Sequence, residues 1–510
     1  MKFKIVSAAA LLLTLGAMIA LRHRPQPFQV HYENVLGTSM DVTVVAASRP
    51  AAHAVAEAVL RAIQRDAQIL SGYDPGSEFS RWFRTNGVAV SVSAELYEVL
   101  DMFDGWRART GGALDPSSEA VSRLWKRAAS LGRLPTDEEV GAAVRQVQQP
   151  HWRLDPAART ATHLDATPIL LNSFTKSYII DRAIDAALAD GTARAVVVNI
   201  GGDLVARGAW SETVGVTDPL DNADNAAPLS RLSVRNQAVA TSGSYRRGFD
   251  IGGRHYSHIV DPRNGRPTSQ VASATVVATR AADAGALATA FCVLTPEQSE
   301  QLASTVAGAQ FMIVLADGSR MQSAGWRALA ATAPRLPVAS PIARLIASEQ
   351  TGAADYELTV AVELATFPQR VDRPYLAIWI EDKDKVPVRT LAVLYREREA
   401  RYLAELRAWY RGDRLRAMAE GTDILPSVSS ATRAPGRYTF KWDMRDQQGK
   451  PVKPGAYTVC IEAAREHGTY QIMRQALDFS GGAKQVQVPL NGGIEVTDAS
   501  LDYHKTTAKE

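Results

Sequence analysis

The chain has 510 residues, of which 46% are hydrophobic and 22% charged, the composition of a globular protein. This length exceeds what one compact core of usual size accommodates, so we expect two or three domains. The formal net charge is only +3, and Lys and Arg alternate with Asp and Glu instead of forming a basic stripe, which excludes a nucleic-acid partner. The two cysteines, Cys292 and Cys460, lie in apolar segments of different predicted domains, which excludes a disulfide framework and a thiolate metal site.

Residues 1–27 have the features of an export segment. Two lysines precede an apolar run, Ile5–Leu21, and polar residues follow it. Such a segment is either a cleaved signal peptide or an uncleaved membrane anchor. The run of about 17 residues just suffices to span a bilayer, and no clear cleavage motif precedes its exit, so we favour the anchor. The lysines favour a cytoplasmic N-terminus, and the lack of a Cys after the run excludes lipid attachment.

Residues 28–330 alternate between helix-like and strand-like segments. Apolar residues recur at helical spacing in His53–Leu70 and in Ala94–Arg109. Ala193–Ile200 is a β-branched run that ends in a glycine turn, which predicts a buried strand. A second strand-like run, Ala272–Ala278, precedes a small-residue helix, Ala281–Leu294. This alternation predicts a mixed α/β (α+β) domain.

Residues 331–344 contain several prolines and are predicted to be a linker. Residues 345–490 then change in character, because short alternating runs are separated by turn signals. This pattern predicts an all-β immunoglobulin-like sandwich with one short helix, Ala400–Arg411. The polar residues 491–510 are predicted to be a C-terminal tail. The predicted strands are Tyr356–Ala365, Leu376–Glu381, Arg437–Trp442, Ala456–Ala463 and Lys484–Val488.

Short motifs with chemical character stand in order along the α/β region. Each is weak alone, since a Gly-Gly-Asp or Thr-Ser-Gly sequence is usually only a turn or a loop. The motifs are Leu36-Gly-Thr-Ser-Met40, Gly112-Ala-Leu-Asp-Pro116, Phe174-Thr-Lys-Ser-Tyr178 with Asp181, Asn199-Ile-Gly-Gly-Asp203, Thr241-Ser-Gly243, and Ser257-His-Ile-Val-Asp-Pro-Arg-Asn-Gly-Arg-Pro267.

In order and spacing, these motifs resemble the FAD:protein FMN transferase (ApbE-type) family over roughly residues 35–295. The resemblance implies that FAD is the substrate, that FMN is attached to a Thr or Ser of an acceptor protein, and that AMP is released. Residues from about 345 to 490 resemble, through segments such as Arg437–Asp443, a family of periplasmic sandwich domains of unknown function. Together with the N-terminal segment, these resemblances predict a protein on the periplasmic side of a bacterial inner membrane, with that membrane as a further partner.

Phosphoryl transfer depends mainly on positioning and charge neutralisation, and several motif residues suit these tasks. Gly201 and Gly202 would let the backbone approach the diphosphate, and Lys176 would supply a positive charge. His258 suits a base that takes the proton of the acceptor hydroxyl. Asp261 either orients His258 or is structural.

The resemblance implies further contacts with the nucleotide. Tyr73 stands where the family places an aromatic residue near the flavin, although a loop tyrosine with a solvated hydroxyl is a close alternative. The remaining residues that the resemblance assigns to FAD are Ala113, Leu114, Asp115, Asp181, Asp203, Thr241, Ser242 and Ile259.

The chain departs from the family at the expected magnesium site. The resemblance implies Mg²⁺ as cofactor, held by an Asp and a Thr four residues apart, but here Gly285 precedes the retained Thr289. A second family Asp is replaced by Leu170. The remaining candidate ligands are Ser173 and Asp283, and we expect Mg²⁺ to bind more weakly or through different ligands.

Three functions therefore stay open at this point. The first is the Mg²⁺-dependent FMN transferase, and the second is a degenerate protein that binds FAD without cleaving it. The third is an FAD pyrophosphatase that uses water as acceptor.

Overall fold

The structure, a computed structural model, describes residues 25–221, 223–244, 247–331, 356–367, 373–395, 403–420, 424–430, 432–433, 435–465, 468–479 and 485–505. The apolar run of the predicted anchor lies outside these residues, and so does the predicted linker apart from Ala331. Among the described residues, no helix has both the length and the apolar character needed to cross a membrane. The described residues form two compact units. The first ends at Ala331, and the second follows it and also includes Asp221–Pro228.

The first unit contains helices and strands in alternation. Its helices are α1 (Arg49–Leu70), α2 (Glu78–Phe83), α3 (Ala94–Arg109), α4 (Glu119–Ser130), α5 (Asp137–Val147), α6 (Thr175–Leu188), α7 (Ala281–Phe291) and α8 (Pro296–Ser304), with short 3₁₀ turns at Pro116–Ser118 and Trp326–Leu329. Its strands are β1 (Gln26–Val35), β2 (Thr38–Ala46), β3 (Ala89–Ser91), β4 (Trp152–Asp155), β5 (Thr160–His163), β6 (Ala193–Ile200), β7 (Asp203–Gly208), β8 (Glu212–Val216), β9 (Ser230–Val234), β10 (Gln237–Gly243), β11 (Gly248–Ile251), β12 (Arg254–Ser257), β13 (Val260–Asp261), β14 (Arg266–Pro267), β15 (Val271–Ala278), β16 (Gln310–Leu315) and β17 (Arg320–Gln322).

An eight-stranded sheet in the order β1-β2-β6-β7-β10-β15-β16-β17 forms the centre of this unit. Each neighbouring pair is antiparallel. Side chains of β6 alternate between its faces: Val196 and Val198 join the core that includes α1, α6 and α7, whereas Val197 joins a second apolar cluster with the β8–β9 hairpin. Both faces are covered, which explains why the sequence of β6 is almost continuously apolar.

The second unit is a sandwich of two sheets. Its strands are β18 (Tyr356–Leu364), β19 (Tyr375–Glu381), β20 (Pro387–Leu394), β21 (Ser429–Ser430), β22 (Gly436–Trp442), β23 (Ala456–Ala464), β24 (Tyr470–Asp478), β25 (Val486–Leu490) and β26 (Val496–Lys505), and its helices are α9 (Arg407–Glu420) and α10 (Leu425–Val428). One sheet has the order β22-β18-β26-β25 and the other β21-β20-β19-β23-β24. The predicted fold class, a mixed α/β domain followed by a β-sandwich, is confirmed.

Helix α9 packs beside the second sheet of the sandwich. Trp409 of α9 shares an apolar cluster with Trp379 of β19 and Cys460 of β23. The buried carboxylate of Glu462 accepts hydrogen bonds from the amides of Ala408 (2.9 Å) and Trp409 (2.8 Å), which satisfies donors at the start of the helix. The sandwich therefore carries a helix fixed to it by a buried carboxylate.

Two predicted boundaries need correction. The polar tail expected from residue 491 is wrong as far as residue 505, because β26 lies between β18 and β25 in the sheet. The first domain was expected to run without interruption from 28 to 330, but Asp221–Pro228 belongs to the second unit. There the side-chain oxygens of Asp224 and Asn225 accept hydrogen bonds from the amides of Thr439 and Lys441, each at 2.9 Å, along the edge strand β22.

Candidate active site

The N-terminal end of α6 faces the glycine turn that joins β6 to β7. Gly201 and Gly202 have positive φ angles of 55° and 95°, which L side chains rarely adopt. A Cβ atom on Gly201 would lie 3.0 Å from Cγ2 of Thr38 and 3.5 Å from Nζ of Lys176. The turn therefore brings its backbone close to the lysine, and glycine is required there by both conformation and space.

Asp203 links this turn to α6. Its Oδ2 accepts a hydrogen bond from Oγ of Ser177 at 2.8 Å and lies 3.4 Å from Nζ of Lys176. Burial raises the pKa of Asp203, while the charge of Lys176 and the Ser177 hydroxyl oppose that rise. The structure thus brings together Lys176, Gly201 and Asp203, which the sequence had predicted as ligand contacts, and adds Ser177.

The hydroxyl of Thr289, near the C-terminal end of α7, lies among other oxygen atoms. It donates to the carbonyl of Ser173 at 3.3 Å and lies 3.3 Å from Oγ of Ser242. The neighbouring Thr241 pairs its hydroxyl with that of Thr275 at 2.9 Å. Three of the predicted residues, Ser173, Ser242 and Thr289, therefore meet, and all three contribute uncharged oxygens.

Asp283 does not join this group. Its pKa is raised by burial, with the charges of Arg280 and Arg109 opposing the rise, so its electrostatic neighbours lie at the start of α7 and the end of α3. Within the part of the chain that the structure describes, no cluster of three or more His, Cys, Asp or Glu side chains could hold a metal ion. Mg²⁺ prefers carboxylate oxygens, so the neutral oxygens around Thr289 do not fit a resident Mg²⁺ ion.

Asp181 lies one helical turn beyond Lys176 and has structural partners. It forms an ion pair with Arg207, and its Oδ2 accepts a hydrogen bond from the amide of Ala281 at 3.0 Å. This amide belongs to the first residue of α7, whose preceding residue, Arg280, makes no side-chain cap. The sequence motif predicted Asp181 as a ligand contact but gave no sign of this role at the start of α7.

The Gly112–Asp115 segment is turned inward. The Asp115 side chain is only 2% exposed, pairs with Nε of Arg107 at 2.8 Å, and accepts a hydrogen bond from the amide of Ser117 at 2.8 Å. Ala113 and Leu114 are buried in the core. Their side chains are therefore occupied with packing and the carboxylate with Arg107, so any contact of Ala113 and Leu114 with a nucleotide would be through backbone atoms.

His258 follows the β11–β12 hairpin and is partly buried. Its Nδ1 lies 3.0 Å from the carbonyl oxygen of Arg247. Because a carbonyl can only accept, Nδ1 carries the proton and Nε2 carries the lone pair. Burial lowers the pKa of His258, although the hydrogen bond to the Arg247 carbonyl partly opposes this fall, and the net lowering favours the basic, neutral form of the imidazole.

Asp261 belongs to the turn that follows His258. Its carboxylate accepts two hydrogen bonds from the guanidinium of Arg263, at 2.9 and 2.8 Å, and one from the amide of Asn264's side chain at 3.1 Å. These contacts favour the structural alternative for Asp261. Ile259 is half-buried against the core, and its amide donates to the hydroxyl of Ser257 at 3.0 Å.

Tyr73 projects from a loop into solvent. Its side chain is an exposed aromatic, and its hydroxyl accepts a hydrogen bond from Nδ2 of Asn172 at 2.6 Å. The amides of Tyr73 and Asp74 both donate to Oγ of Ser71 at 3.2 Å. An exposed ring held at both ends can stack on a planar ligand without further loss of freedom. Asn172 is a partner that sequence reasoning noted only as polar.

A lysine beside a helix N-terminus and a glycine turn is the arrangement with which nucleotide-binding group-transfer enzymes hold phosphate groups. The chain belongs to the ApbE family, whose family model matches residues 36–313. A second model, described as "Predicted periplasmic protein (DUF2271)", matches residues 357–498. The predicted family and the predicted transferase class are confirmed.

Named relatives support this assignment. The chain is 30% identical to the FAD:protein FMN transferase of Treponema pallidum over 322 residues, covering 58% of this chain and 86% of the relative. It is 24% identical to that of Escherichia coli K12, covering 60% and 91%. Among solved structures, the ApbE protein of Thermotoga maritima is 27% identical with a TM-score of 0.53, covering 60% of this chain and 100% of that one. The apo flavinyl transferase ApbE of Pseudomonas stutzeri, 24% identical with a TM-score of 0.51 and covering 61% and 98%, shares the fold.

Proposed function

We propose that this protein moves FMN from FAD to a Thr or Ser of an acceptor protein and releases AMP. The observation that carries the proposal is the N-terminal end of α6, where Lys176 adjoins the Gly201-Gly202 turn. Unpaired helix amides and a lysine together attract a diphosphate. The named FAD:protein FMN transferases among the relatives supply the identity of the nucleotide.

The chemistry asks for one base and one leaving group. The hydroxyl oxygen of the acceptor attacks the phosphorus on the FMN side of the FAD diphosphate, and the bond from this phosphorus to the bridging oxygen breaks. AMP leaves with that oxygen, and the hydroxyl proton passes to Nε2 of His258. Lys176 neutralises charge on the diphosphate, and Tyr73 stacks on a ring of the dinucleotide. The predicted contacts of Asp115, Asp181 and Asp203 with FAD are not part of this proposal, because their carboxylates have protein partners.

Magnesium and location belong to the proposal as well. The oxygens around Thr289 are uncharged, so a Mg²⁺ ion would be held chiefly by the diphosphate of FAD. The match to a family described as predicted periplasmic supports an acceptor outside the cytoplasm. We propose that residues 1–27 anchor the protein in the inner membrane.

One observation favours a second candidate function. Gly285 stands where the family has a carboxylate, and a protein without that ligand could bind FAD without cleaving it. A pyrophosphatase that passes FMN to water would use the same residues as the transferase. The three functions differ in what becomes of FAD: protein-bound FMN, intact FAD or free FMN.

The full-length protein, purified in detergent, is incubated with FAD, Mg²⁺ and exported candidate acceptors that carry unmodified Thr or Ser. AMP is followed by chromatography and acceptor mass by mass spectrometry. We expect equal amounts of AMP and of FMN-modified acceptor, and neither from His258→Gln. His255→Gln is the matched control, because this exposed histidine lies on the same hairpin and pairs only with Asp250 among the described contacts. AMP without modified acceptor supports the pyrophosphatase, and bound FAD without AMP supports the binding protein.

A further inference from the structure

Helices α6 and α7 touch at Ser177 and Gly285. A Cβ atom on Gly285 would lie 2.8 Å from Oγ of Ser177 and 3.1 Å from Cα of Phe174. Distances below 3.0 Å between a Cβ and another heavy atom are essentially never tolerated, and the second contact is with backbone. Ser177 is itself 2% exposed and held by its hydrogen bond to Asp203. A side chain at position 285 therefore requires the Ser177 hydroxyl to move away from its hydrogen bond with Asp203, or the two helices to shift apart.

Position 285 is also where a charged ligand would have to stand. Residues four apart on a helix share a face, so a carboxylate at 285 would project beside the hydroxyl of Thr289. The oxygens that actually surround this hydroxyl are the carbonyl of Ser173 and the hydroxyl of Ser242. None carries a charge, and a hard divalent cation needs charged oxygen ligands to offset its dehydration.

The charged groups beside Ser177 do not supply the missing ligand. Asp203 is engaged by the Ser177 hydroxyl at 2.8 Å and by Lys176 at 3.4 Å. Asp203 and Lys176 thus offset each other's charge. In the free protein a divalent cation beside Thr289 would meet the uncharged oxygens of Ser173 and Ser242.

We infer that Ser177 and Gly285 together make divalent-cation binding beside Thr289 conditional on a bound diphosphate. The free protein does not hold the ion, because its own oxygens there are uncharged. A bound FAD adds anionic oxygens that both the ion and Lys176 can share. This inference rests on the proposed function, since it takes FAD as the source of the diphosphate. Linkage then requires that the cation increase the affinity for FAD by the same factor by which FAD increases the affinity for the cation.

Direct binding measurements test the inference without relying on activity. Mn²⁺ replaces Mg²⁺ because it favours the same oxygen ligands and its free form is counted by electron paramagnetic resonance. Binding is measured on full-length His258→Gln, so that FAD stays intact, with and without FAD, while FAD binding is followed separately by flavin fluorescence. We expect FAD to lower the Kd for Mn²⁺ by about tenfold or more, and Mn²⁺ to lower the Kd for FAD equally.

The possible failures are distinguishable. Mn²⁺ that binds equally well with and without FAD, while FAD itself binds, overturns this inference and leaves the proposed function intact. FAD that does not bind under either condition overturns the proposed function and the inference with it.

A second set of variants tests the two residues themselves. Ser177→Gly combined with Gly285→Asp removes the shortest contact of the new Cβ, leaves Cα of Phe174 at 3.1 Å as the next one, and adds the carboxylate. The free form of this double variant should gain at least about tenfold in Mn²⁺ affinity. Ser177→Gly with Gly285→Asn is the matched control, because it has the same shape without the charge and should gain nothing. Gly285→Asp alone should unfold at a lower temperature than the double variant, since Ser177 still blocks its Cβ. Equal gains from the Asp and Asn pairs, or no gain from a folded Asp pair, would overturn the inference.

Discussion

Replacing Asp181 by asparagine tests whether this motif residue stabilises the fold or contacts the ligand. Asp181 lines an open cavity of about 450 Å³, so its carboxylate could contact a ligand there as an alternative to its ion pair with Arg207. The side chains of Asp181 and Arg207 are only 19% and 15% exposed, so their ion pair is poorly screened by solvent. Asparagine can still accept the hydrogen bond from Ala281, and Arg207 keeps the carbonyl of Thr279 at 2.8 Å. The loss is therefore one charge-assisted contact, about 2–3 kcal/mol.

Thermal unfolding of the full-length protein should show this loss. At about 2–4 °C per kcal/mol, the unfolding midpoint of the first unit should fall by roughly 4–12 °C. If Asp181 does not contact FAD, the Kd for FAD, measured well below that midpoint, should stay within about twofold of the original value, a difference of about 0.4 kcal/mol in binding free energy. Asp185→Asn is the matched control one turn further along α6, where the side chain is exposed, and it should change stability by no more than about 0.5 kcal/mol. A tenfold weaker FAD affinity with an unchanged midpoint would refute this reasoning.

Further predictions concern the base, the aromatic loop and the sandwich. Burial lowers the pKa of His258, and the neutral imidazole is the proposed base, so AMP release should fall only below pH 6.5. A pH profile with its acidic limb above 6.5 would contradict this. Tyr73→Phe and Asn172→Ala each break the hydrogen bond between these two residues, so each should weaken FAD binding severalfold in titrations. The double variant should bind no more weakly than either single variant, and additive losses would show that the two residues act separately. Glu462→Gln should lower the free energy of unfolding of the sandwich by about 1–3 kcal/mol in urea unfolding followed by tryptophan fluorescence, whereas an unchanged value would show that Glu462 does not hold α9.

Periodicity predicted the local elements well. Ala94–Arg109 and Ala193–Ile200 were predicted with the bounds that the structure shows. Both have strong signals, since one places apolar residues at helical spacing and the other is a buried β-branched run. Strand β26 carried a weaker signal. Every second residue from Ala499 to Tyr503 is buried in the core, as in a strand with one buried face. The polar residues between them made the segment resemble a polar tail.

Partners of charged side chains could not be predicted in the same way. Asp115 and Asp181 stand in motifs, and a motif identifies a carboxylate without saying what it contacts. Asp181 lies on α6 and Arg207 on β7, and the two meet only because the chain returns from β6 into the neighbouring strand β7 beside α6. Most of the residues that the structure gathers near Lys176 and Thr289 were predicted as site residues, and Ser177 is the exception. The motifs gave no means of identifying Asn172 as the partner of Tyr73.

The contact between Ser177 and Gly285 also changes how the departures from the family bear on function. Taken from sequence alone, the missing carboxylate argues for a degenerate site. In the structure, the Ser177 hydroxyl, which donates a hydrogen bond to Asp203, occupies the space that a side chain at position 285 would need. The glycine at 285 therefore goes together with the serine at 177. The groups proposed for transfer do not depend on that carboxylate. Lys176 lies beside the glycine turn, and Nδ1 of His258 donates to the Arg247 carbonyl, which leaves the lone pair on Nε2. We therefore expect phosphoryl transfer with a cation that arrives with the substrate.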